Sequence, residues 1–132
     1  YNIALHLTLH TLNFSVIIII VIFSFLFNLE PPSAPQNLTA NLVDQSTVIL
    51  SWSPPKYLGG RNDTVYRVSC EACSSSVTYV PAQENFNESK VIISGLNPIT
   101  TYRFMVYAEN GVSGYDSSQF VDITVTTESS GT

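Results

Sequence analysis

The stretch that most constrains the fold runs from Ile92 to Gly114 and reads IISGLNPITTYRFMVYAENGVSG. It contains Gly-Leu-Asn-Pro at 95–98, and glycine and proline are the strongest turn signals in a sequence. The residues that follow alternate with the period of two of a half-buried strand. One face has Tyr102, Phe104, Val106 and Ala108, and the other has Arg103, Met105, Tyr107 and Glu109. We therefore predict a strand, a tight corner and a longer strand that ends in a turn at Asn110 and Gly111.

Three side chains are predicted to form the structural core around this corner. A tyrosine that directly follows a sharp corner can hydrogen-bond back to the backbone of the corner, and Tyr102 stands at that position. Leu96 lies inside the corner itself. Trp52 ends the alternating segment Thr47–Trp52, in which Val48, Leu50 and Trp52 would face inward. We expect Trp52, Leu96 and Tyr102 to be buried together.

The remaining segments from Pro31 onward also predict strands. Three prolines between Pro31 and Pro35 prevent a helix from continuing into this region. Short alternating segments separated by turn signals then follow, and a last strand ends near Thr126. Besides the strands named above, one predicted strand begins near Leu38, and four others cover Val65–Cys70, Val77–Val80, Lys90–Ile93 and 119–126. Seven short strands predict an all-β sandwich of two sheets over residues 31–127, followed by a disordered tail at 128–132.

A family resemblance supports this fold class. The pattern Leu96, Pro98, Thr100, Tyr102, Phe104, Val106, Ala108, Asn110 resembles the corner and following strand of a fibronectin type III domain, a seven-stranded immunoglobulin-like sandwich. Four further segments make the resemblance more specific: PPSAPQNL at 31–38, SWSPP around Trp52, GGRNDTVYRVSCEAC at 59–73 and AENGVSG at 108–114. They are similar to the first of the two fibronectin type III modules of Eph receptors, the ephrin-binding receptor tyrosine kinases.

The resemblance implies a role without catalysis. In Eph receptors the kinase is a cytoplasmic domain and ephrin binding belongs to an N-terminal domain, and this chain resembles neither. The implied function is an extracellular spacer and interaction module at the plasma membrane, which positions the ligand-binding head and supports receptor clustering. Its expected partners are neighbouring receptor domains and other receptor copies, and ephrin would be bound only indirectly.

Residues 1–30 differ in composition from the rest of the chain. All fifteen charged side chains lie at or after Glu30, and the uncharged segment Leu12–Leu29 is just long enough to span a bilayer as a helix. A secretory signal would need an initiating Met, a basic start and a clear small-residue cleavage site, which the segment lacks. No Lys or Arg occurs before Lys56, so the positive-inside rule cannot orient an anchor, and the flanking residues support neither a signal nor an anchor.

We hypothesise that residues 1–30 are mistranslated non-coding sequence, with a membrane helix and a signal remnant as the alternatives. In Eph receptors a cysteine-rich module precedes this position, whereas residues 1–30 contain no Cys. The run IIIIVIFSFLFNLE is what AT-rich and pyrimidine-rich intron sequence would encode. If the segment is instead a true anchor, the chain is a stand-alone membrane-tethered fibronectin type III adhesion protein.

The two cysteines, Cys70 and Cys73, allow several interpretations. A Cys-x-x-Cys pair can be a redox site, half of a zinc site or a small disulfide. A redox Cys-x-x-Cys pair is typical of a helix N-terminus, whereas this pair lies at the end of a predicted strand. A zinc site needs four ligands. We expect a local disulfide in an oxidising compartment rather than free thiols. The resembled Eph modules usually carry a second cysteine pair in this loop, which is missing here.

Three Asn-x-Ser/Thr sequons begin at Asn37, Asn62 and Asn87, and each is predicted to face solvent. Asn37 precedes the inward Leu38, and the other two stand in polar, loop-like segments. Three sequons with a Cys-x-x-Cys pair favour an extracellular glycoprotein.

Composition excludes several functions. The net charge is −5, with ten acidic and five scattered basic residues, so the chain has no basic patch for nucleic acid. Residues 31–132 contain no His and no phosphate-binding glycine motif, so we predict no catalytic residue, metal or cofactor. The outward residues Arg103, Met105 and Tyr107 combine types that are enriched in protein interfaces, and we predict a protein contact there.

Overall fold

The computed structural model of the chain describes residues 13–26, 30–114 and 119–129, and these contain one helix and eight β-strands. The helix is α1 (Phe14–Leu26). The strands are β1 (Gln36–Asp44), β2 (Thr47–Ser53), β3 (Val65–Glu71), β4 (Thr78–Val80), β5 (Glu84–Phe86), β6 (Lys90–Ser94), β7 (Thr101–Glu109) and β8 (Phe120–Thr126).

The strands form two four-stranded sheets, which confirms the predicted all-β sandwich. One sheet has the order β1-β2-β6-β4 and the other has the order β5-β3-β7-β8, and every neighbouring pair is antiparallel. The register places inward residues opposite one another, such as Val48 opposite Ile93 and Val68 opposite Val106. Each sheet therefore presents one apolar face to the other.

The alternation seen in the sequence produces the core directly. Val48, Leu50 and Phe104 are fully buried, because successive strand residues point to opposite faces. Aromatic rings join the two sheets: the ring of Trp52 meets that of Tyr66 edge-on at a centroid distance of 5.2 Å and that of Phe86 at 6.0 Å. Such edge-to-face pairs add specificity to the apolar burial.

β5 is a strand that the sequence did not indicate. It is only three residues long and pairs with β3, which raises the count from the predicted seven to eight among the described residues. Phe86 is a lone apolar residue between polar neighbours, so it shows no periodicity. It is nevertheless buried, because its ring reaches the aromatic cluster of Trp52 and Tyr66. The position of this strand therefore depends on the burial of the Phe86 side chain and not on a periodic sequence pattern.

The corner before β7 is held by Tyr102. Its side chain is 1% exposed, and its hydroxyl accepts a hydrogen bond of 2.8 Å from the backbone N–H of Asn97. Leu96 is also buried, and its N–H donates to the carbonyl of Ser46 in the turn between β1 and β2. The corner is thus tied to the start of β7 and to the neighbouring turn.

The segments outside the sandwich are described in part. Asn13 caps α1, because its side-chain oxygen accepts a hydrogen bond from the N–H of Val16. In the described part of the chain, no helix combines the length and the apolar character that crossing a bilayer requires. The tail predicted from residue 128 starts with Glu128, whose carbonyl accepts a hydrogen bond from the N–H of Ile99. Residues 1–12, 27–29 and 130–132 of the predicted end segments lie outside the described residues.

The substitution Tyr102→Phe should lower the free energy of unfolding by about 1–2 kcal/mol, because the Asn97 N–H loses its partner. Urea denaturation measures this loss. Tyr107→Phe is the matched control on the same strand, since the Tyr107 hydroxyl only approaches the Met105 sulfur at 4.0 Å. Equal stability of the two variants would contradict a role for the Tyr102 hydroxyl in holding the corner.

Candidate interaction surfaces

The outer face of β7 carries the three residues predicted to contact a protein. Arg103 lies between two acidic neighbours, where its Nη1 is 2.9 Å from Glu71 Oε1 and its Nε is 2.8 Å from Asp122 Oδ2. Asp122 and, to a smaller extent, Glu71 raise the pKa of the Arg103 guanidinium above its ordinary value. Arg103 is therefore a half-exposed cation whose hydrogen-bonding groups already have partners.

Met105 does not offer the exposed apolar side chain that the alternation indicates. It is only 8% exposed, although it points to the outer face of the sheet. Ser69 and Asp122 flank it on the neighbouring strands, and Arg103 and Tyr107 flank it along its own strand. Met105 lies on a central strand, and the Tyr107 hydroxyl is 4.0 Å from its sulfur. The expectation of an exposed apolar contact residue at this position is therefore corrected, because Met105 is buried.

Tyr107 forms the aromatic part of this face. The guanidinium carbon of Arg67 lies 3.8 Å from the centroid of the Tyr107 ring, and the Phe120 ring lies at 5.0 Å. Arg67 also donates to Glu109 at 3.2 Å. We call Arg67, Arg103, Tyr107 and Phe120 the outer patch. It presents two cations and two aromatic rings that are preorganised by contacts within the sheet.

The two cysteines pack against the core, on the face of the sheet opposite the outer patch. Cys70 is near the end of β3 and Cys73 follows in the next loop, and the structure joins them in a disulfide with their Cα atoms 5.7 Å apart. Ala72 adopts a left-handed conformation with φ of 78°, which turns the chain back within this short ring. The loop after β3 is therefore closed locally, and the bridge does not join the two sheets.

The three sequon asparagines are all exposed. Asn37 lies at the start of β1, where its φ of 57° accompanies a break in the register with β2. Asn62 lies in the loop between β2 and β3, and Asn87 follows β5. Each amide is therefore accessible on the folded domain.

The point where the chain enters the sandwich is a site that the sequence did not reveal. Asn110 follows β7 and is 8% exposed, and its Nδ2 donates to the carbonyls of Glu30 at 2.8 Å and Leu58 at 3.3 Å. The Tyr57 hydroxyl donates to Glu30 Oε2 at 2.9 Å, and this bond raises the pKa of Tyr57. We call Glu30, Tyr57, Leu58 and Asn110 the entry clamp.

A glycine makes the entry clamp sterically possible. Gly59 has φ of 72°, and a Cβ atom at this position would overlap the carbonyl oxygen of Glu30. Gly59 therefore lets two backbone segments approach closely. The sequence predicts Asn110 only as part of an Asn-Gly turn, because the partner carbonyls lie 80 and 52 positions away along the chain.

The point where the chain leaves the sandwich is held in a similar way. Thr127 is 3% exposed, and its hydroxyl donates to the carbonyl of Asn97 at 2.6 Å and accepts from the N–H of Thr100 at 3.0 Å. Its backbone N–H also donates to the carbonyl of Thr100. We call Asn97, Thr100 and Thr127 the exit clamp.

A bidentate ion pair supports the entry clamp. Arg61 donates to both carboxylate oxygens of Asp63, at 2.9 and 2.7 Å, and the N–H of Gly111 donates to the same carboxylate at 3.0 Å. Arg61 first, and then the Gly111 N–H, lower the pKa of Asp63 to about 2. A Cβ on Gly111 would lie 2.6 Å from the Arg61 guanidinium, so a side chain at this position would displace the end of the Arg61 side chain.

The Asp63 carboxyl should titrate with a midpoint of about 2 when followed by carbon-detected NMR. Because its pKa is depressed, its stabilising effect is complete above the ordinary value of about 3.9 and is lost as pH falls toward the folded value. In Arg61→Ala the midpoint should rise. Asp44, whose pKa is lowered by Ser46, is the internal control and should not respond. An unchanged Asp63 midpoint in Arg61→Ala would refute the assigned cause.

Comparison with known proteins gives the family of this sandwich. The family model described as Fibronectin type III domain matches residues 33–124. In overall fold, the chain resembles the crystal structure of the rat CD45 extracellular region, domains d3-d4, with a TM-score of 0.57 and 14% identity over 74% of this chain and 51% of that one.

Several receptors are similar in sequence. Ephrin type-A receptor 4-B of Xenopus laevis is 43% identical over 110 residues, and Ephrin type-A receptor 7 of Gallus gallus is 42% identical over the same length. Each alignment covers 74% of this chain and 11% of the receptor. Ephrin type-B receptor 4b of Danio rerio is 44% identical over 92 residues, which cover 64% of this chain and 9% of that receptor. The chain thus spans about a tenth of the length of these relatives. Because the family model matches most of the chain, the chain belongs to the fibronectin type III domain family.

Proposed function

We propose that residues 31–127 form a non-catalytic extracellular spacer and protein-interaction module of an ephrin receptor. The module would hold the ligand-binding head of the receptor at a set distance and orientation and would support receptor clustering in cell–cell signalling. The similarity to type-A and type-B ephrin receptors supports the receptor assignment. The similarity covers about a tenth of each receptor, so ephrin binding and kinase activity would belong to other parts of such a protein.

The observation that carries the spacer role is the pair of clamps. The entry clamp lies beyond the end of β7, and the exit clamp lies before its start. Nine residues of extended strand separate them, a distance of about 30 Å. A segment joined at Glu30 and a segment joined after Thr127 would therefore be held on opposite ends of a rigid body. Rigid attachment at both ends is what a spacer requires.

The extracellular location is supported by surface chemistry. The disulfide between Cys70 and Cys73 fits an oxidising compartment, and the sequon residues Asn37, Asn62 and Asn87 are exposed on the folded domain. We propose that the module lies on the outer side of the plasma membrane and carries glycans at one or more of these positions.

The outer patch is the proposed contact surface for another receptor copy. Arginine and aromatic side chains are enriched in interface cores, and here they are preorganised by the Arg67–Tyr107 and Tyr107–Phe120 contacts. Preorganisation lowers the entropy that is lost on binding. Met105 would support the patch from below rather than contact the partner, since it is covered by its neighbours.

Rigid attachment can be measured through backbone order parameters from ¹⁵N relaxation. In the wild-type chain, Ser33 and Glu128 should have values of about 0.85, as in the strands. Asn110→Ala removes both bonds to the entry carbonyls and should lower the value at Ser33 without affecting Glu128. Thr127→Val removes the exit hydroxyl and should have the reverse effect. Low values at both positions in the wild-type chain would rule out a rigid spacer.

The contact role of the outer patch can be tested in a full-length receptor that contains this module. Arg103→Glu should weaken receptor clustering at the cell surface by about tenfold, the effect of losing one interface arginine. Lys90→Glu is the control for charge reversal, because Lys90 is an exposed cation on β6 of the other sheet, away from the outer patch and from both clamps. Equal clustering by the two variants would exclude the patch as the contact.

A further inference from the structure

The entry clamp contains a residue that is chemically reactive in most other settings. Asn110-Gly111 is the one Asn-Gly pair in the chain. An asparagine before glycine cyclises readily, because glycine leaves the backbone nitrogen unobstructed and the local φ and ψ angles free. We propose that Asn110 is a site of spontaneous deamidation that the entry clamp protects, so that the modification occurs when the clamp opens.

The reaction uses only the chain and water. The backbone nitrogen of Gly111 loses its proton and attacks Cγ of Asn110. The new C–N bond closes a five-membered succinimide ring, and the side-chain amide leaves as ammonia. Water then opens the ring at one of its two carbonyls and yields aspartate or isoaspartate.

The folded structure restrains the group that is attacked. Besides the bonds from Nδ2 to the Glu30 and Leu58 carbonyls, Oδ1 accepts hydrogen bonds from the N–H of Val112 at 3.0 Å and the hydroxyl of Ser113 at 3.3 Å. All four hydrogen-bonding positions of the amide are therefore occupied. The amide would have to break these bonds before Cγ could turn toward the nitrogen of Gly111.

The attacking nitrogen is also restrained. The Gly111 N–H donates to Asp63 Oδ2 at 3.0 Å, and Arg61 holds that carboxylate in place. Loss of the proton would place a second negative charge beside the carboxylate, which is unfavourable. Reaction at Asn110 therefore requires release of both the entry carbonyls and the Asp63 contact.

The product would prevent the clamp from closing again. An aspartate at this position would direct carboxylate oxygens at the carbonyls of Glu30 and Leu58, where two N–H donors had been. The oxygen that replaces Nδ2 would face two carbonyl acceptors, even though the other oxygen keeps the Val112 and Ser113 donors, and a buried charge with this repulsive contact costs more than the neutral amide. The resulting loosening of the entry segment matters through the proposed spacer function, whereas the modification itself does not depend on that function.

The test follows deamidation of the full chain at mildly alkaline pH by peptide mapping and mass spectrometry. The native chain should react about tenfold or more slowly than the same chain in urea, because local opening must precede the reaction. Asp63→Ala frees the Gly111 nitrogen and should accelerate the reaction about fivefold, the factor expected for one hydrogen bond. Asp122→Ala is the matched control, since Asp122 is also an exposed aspartate paired with an arginine. It should react at the wild-type rate.

Three results would overturn the proposal: equal rates in the native and urea samples, equal rates for Asp63→Ala and Asp122→Ala, or acceleration by Asp122→Ala. If Asp63→Ala does not fold, Tyr57→Phe decides, because it removes only the bond that holds the Glu30 side chain. Tyr57→Phe should react faster than wild type, and an unchanged rate would refute protection by the clamp. Order parameters at Ser33 test the spacer role separately.

Discussion

The packing of β7, a central strand with one fully buried face, is the constraint on which the rest of the domain depends. β7 is a central strand of its sheet, paired with β3 on one side and β8 on the other. Its inward residues Tyr102, Phe104, Val106 and Ala108 are at most 1% exposed. They face the residues of β2 and β6, so the second sheet can pack in only one register without exposing apolar surface. This packing also determines the positions of the corner before β7 and of the turn after it.

Because β7 links both ends of the sandwich, it also links both clamps. The exit clamp is built around the corner that Tyr102 holds, and the entry clamp is built around Asn110, directly after the last residue of β7. A rigid strand thus sets the distance between the point of entry and the point of exit. The mechanical role and the core packing consequently depend on the same segment.

On the outer face of the same strand, the charged side chains have ion-pair partners and yet remain accessible to another protein. These charges are paired across strands: Arg103 with Glu71 and Asp122, and Arg67 with Glu109. Exposed pairs of this kind contribute little to stability. Their larger effect is to order long side chains and the Tyr107 ring, which gives the outer patch a defined shape for a partner.

The sequence alone determined the fold class, most strands and the inward residues, because alternation and turn chemistry are local signals that survive without tertiary context. The tertiary structure alone decided three features. β5 exists because one ring, that of Phe86, reaches an aromatic cluster, and a single residue has no period. Met105 is covered because a central strand has neighbours on both sides, although its pattern is that of an outward residue. Asn110 clamps the entry because folding brings Glu30 and Leu58 to it across long separations in sequence, which no local pattern encodes.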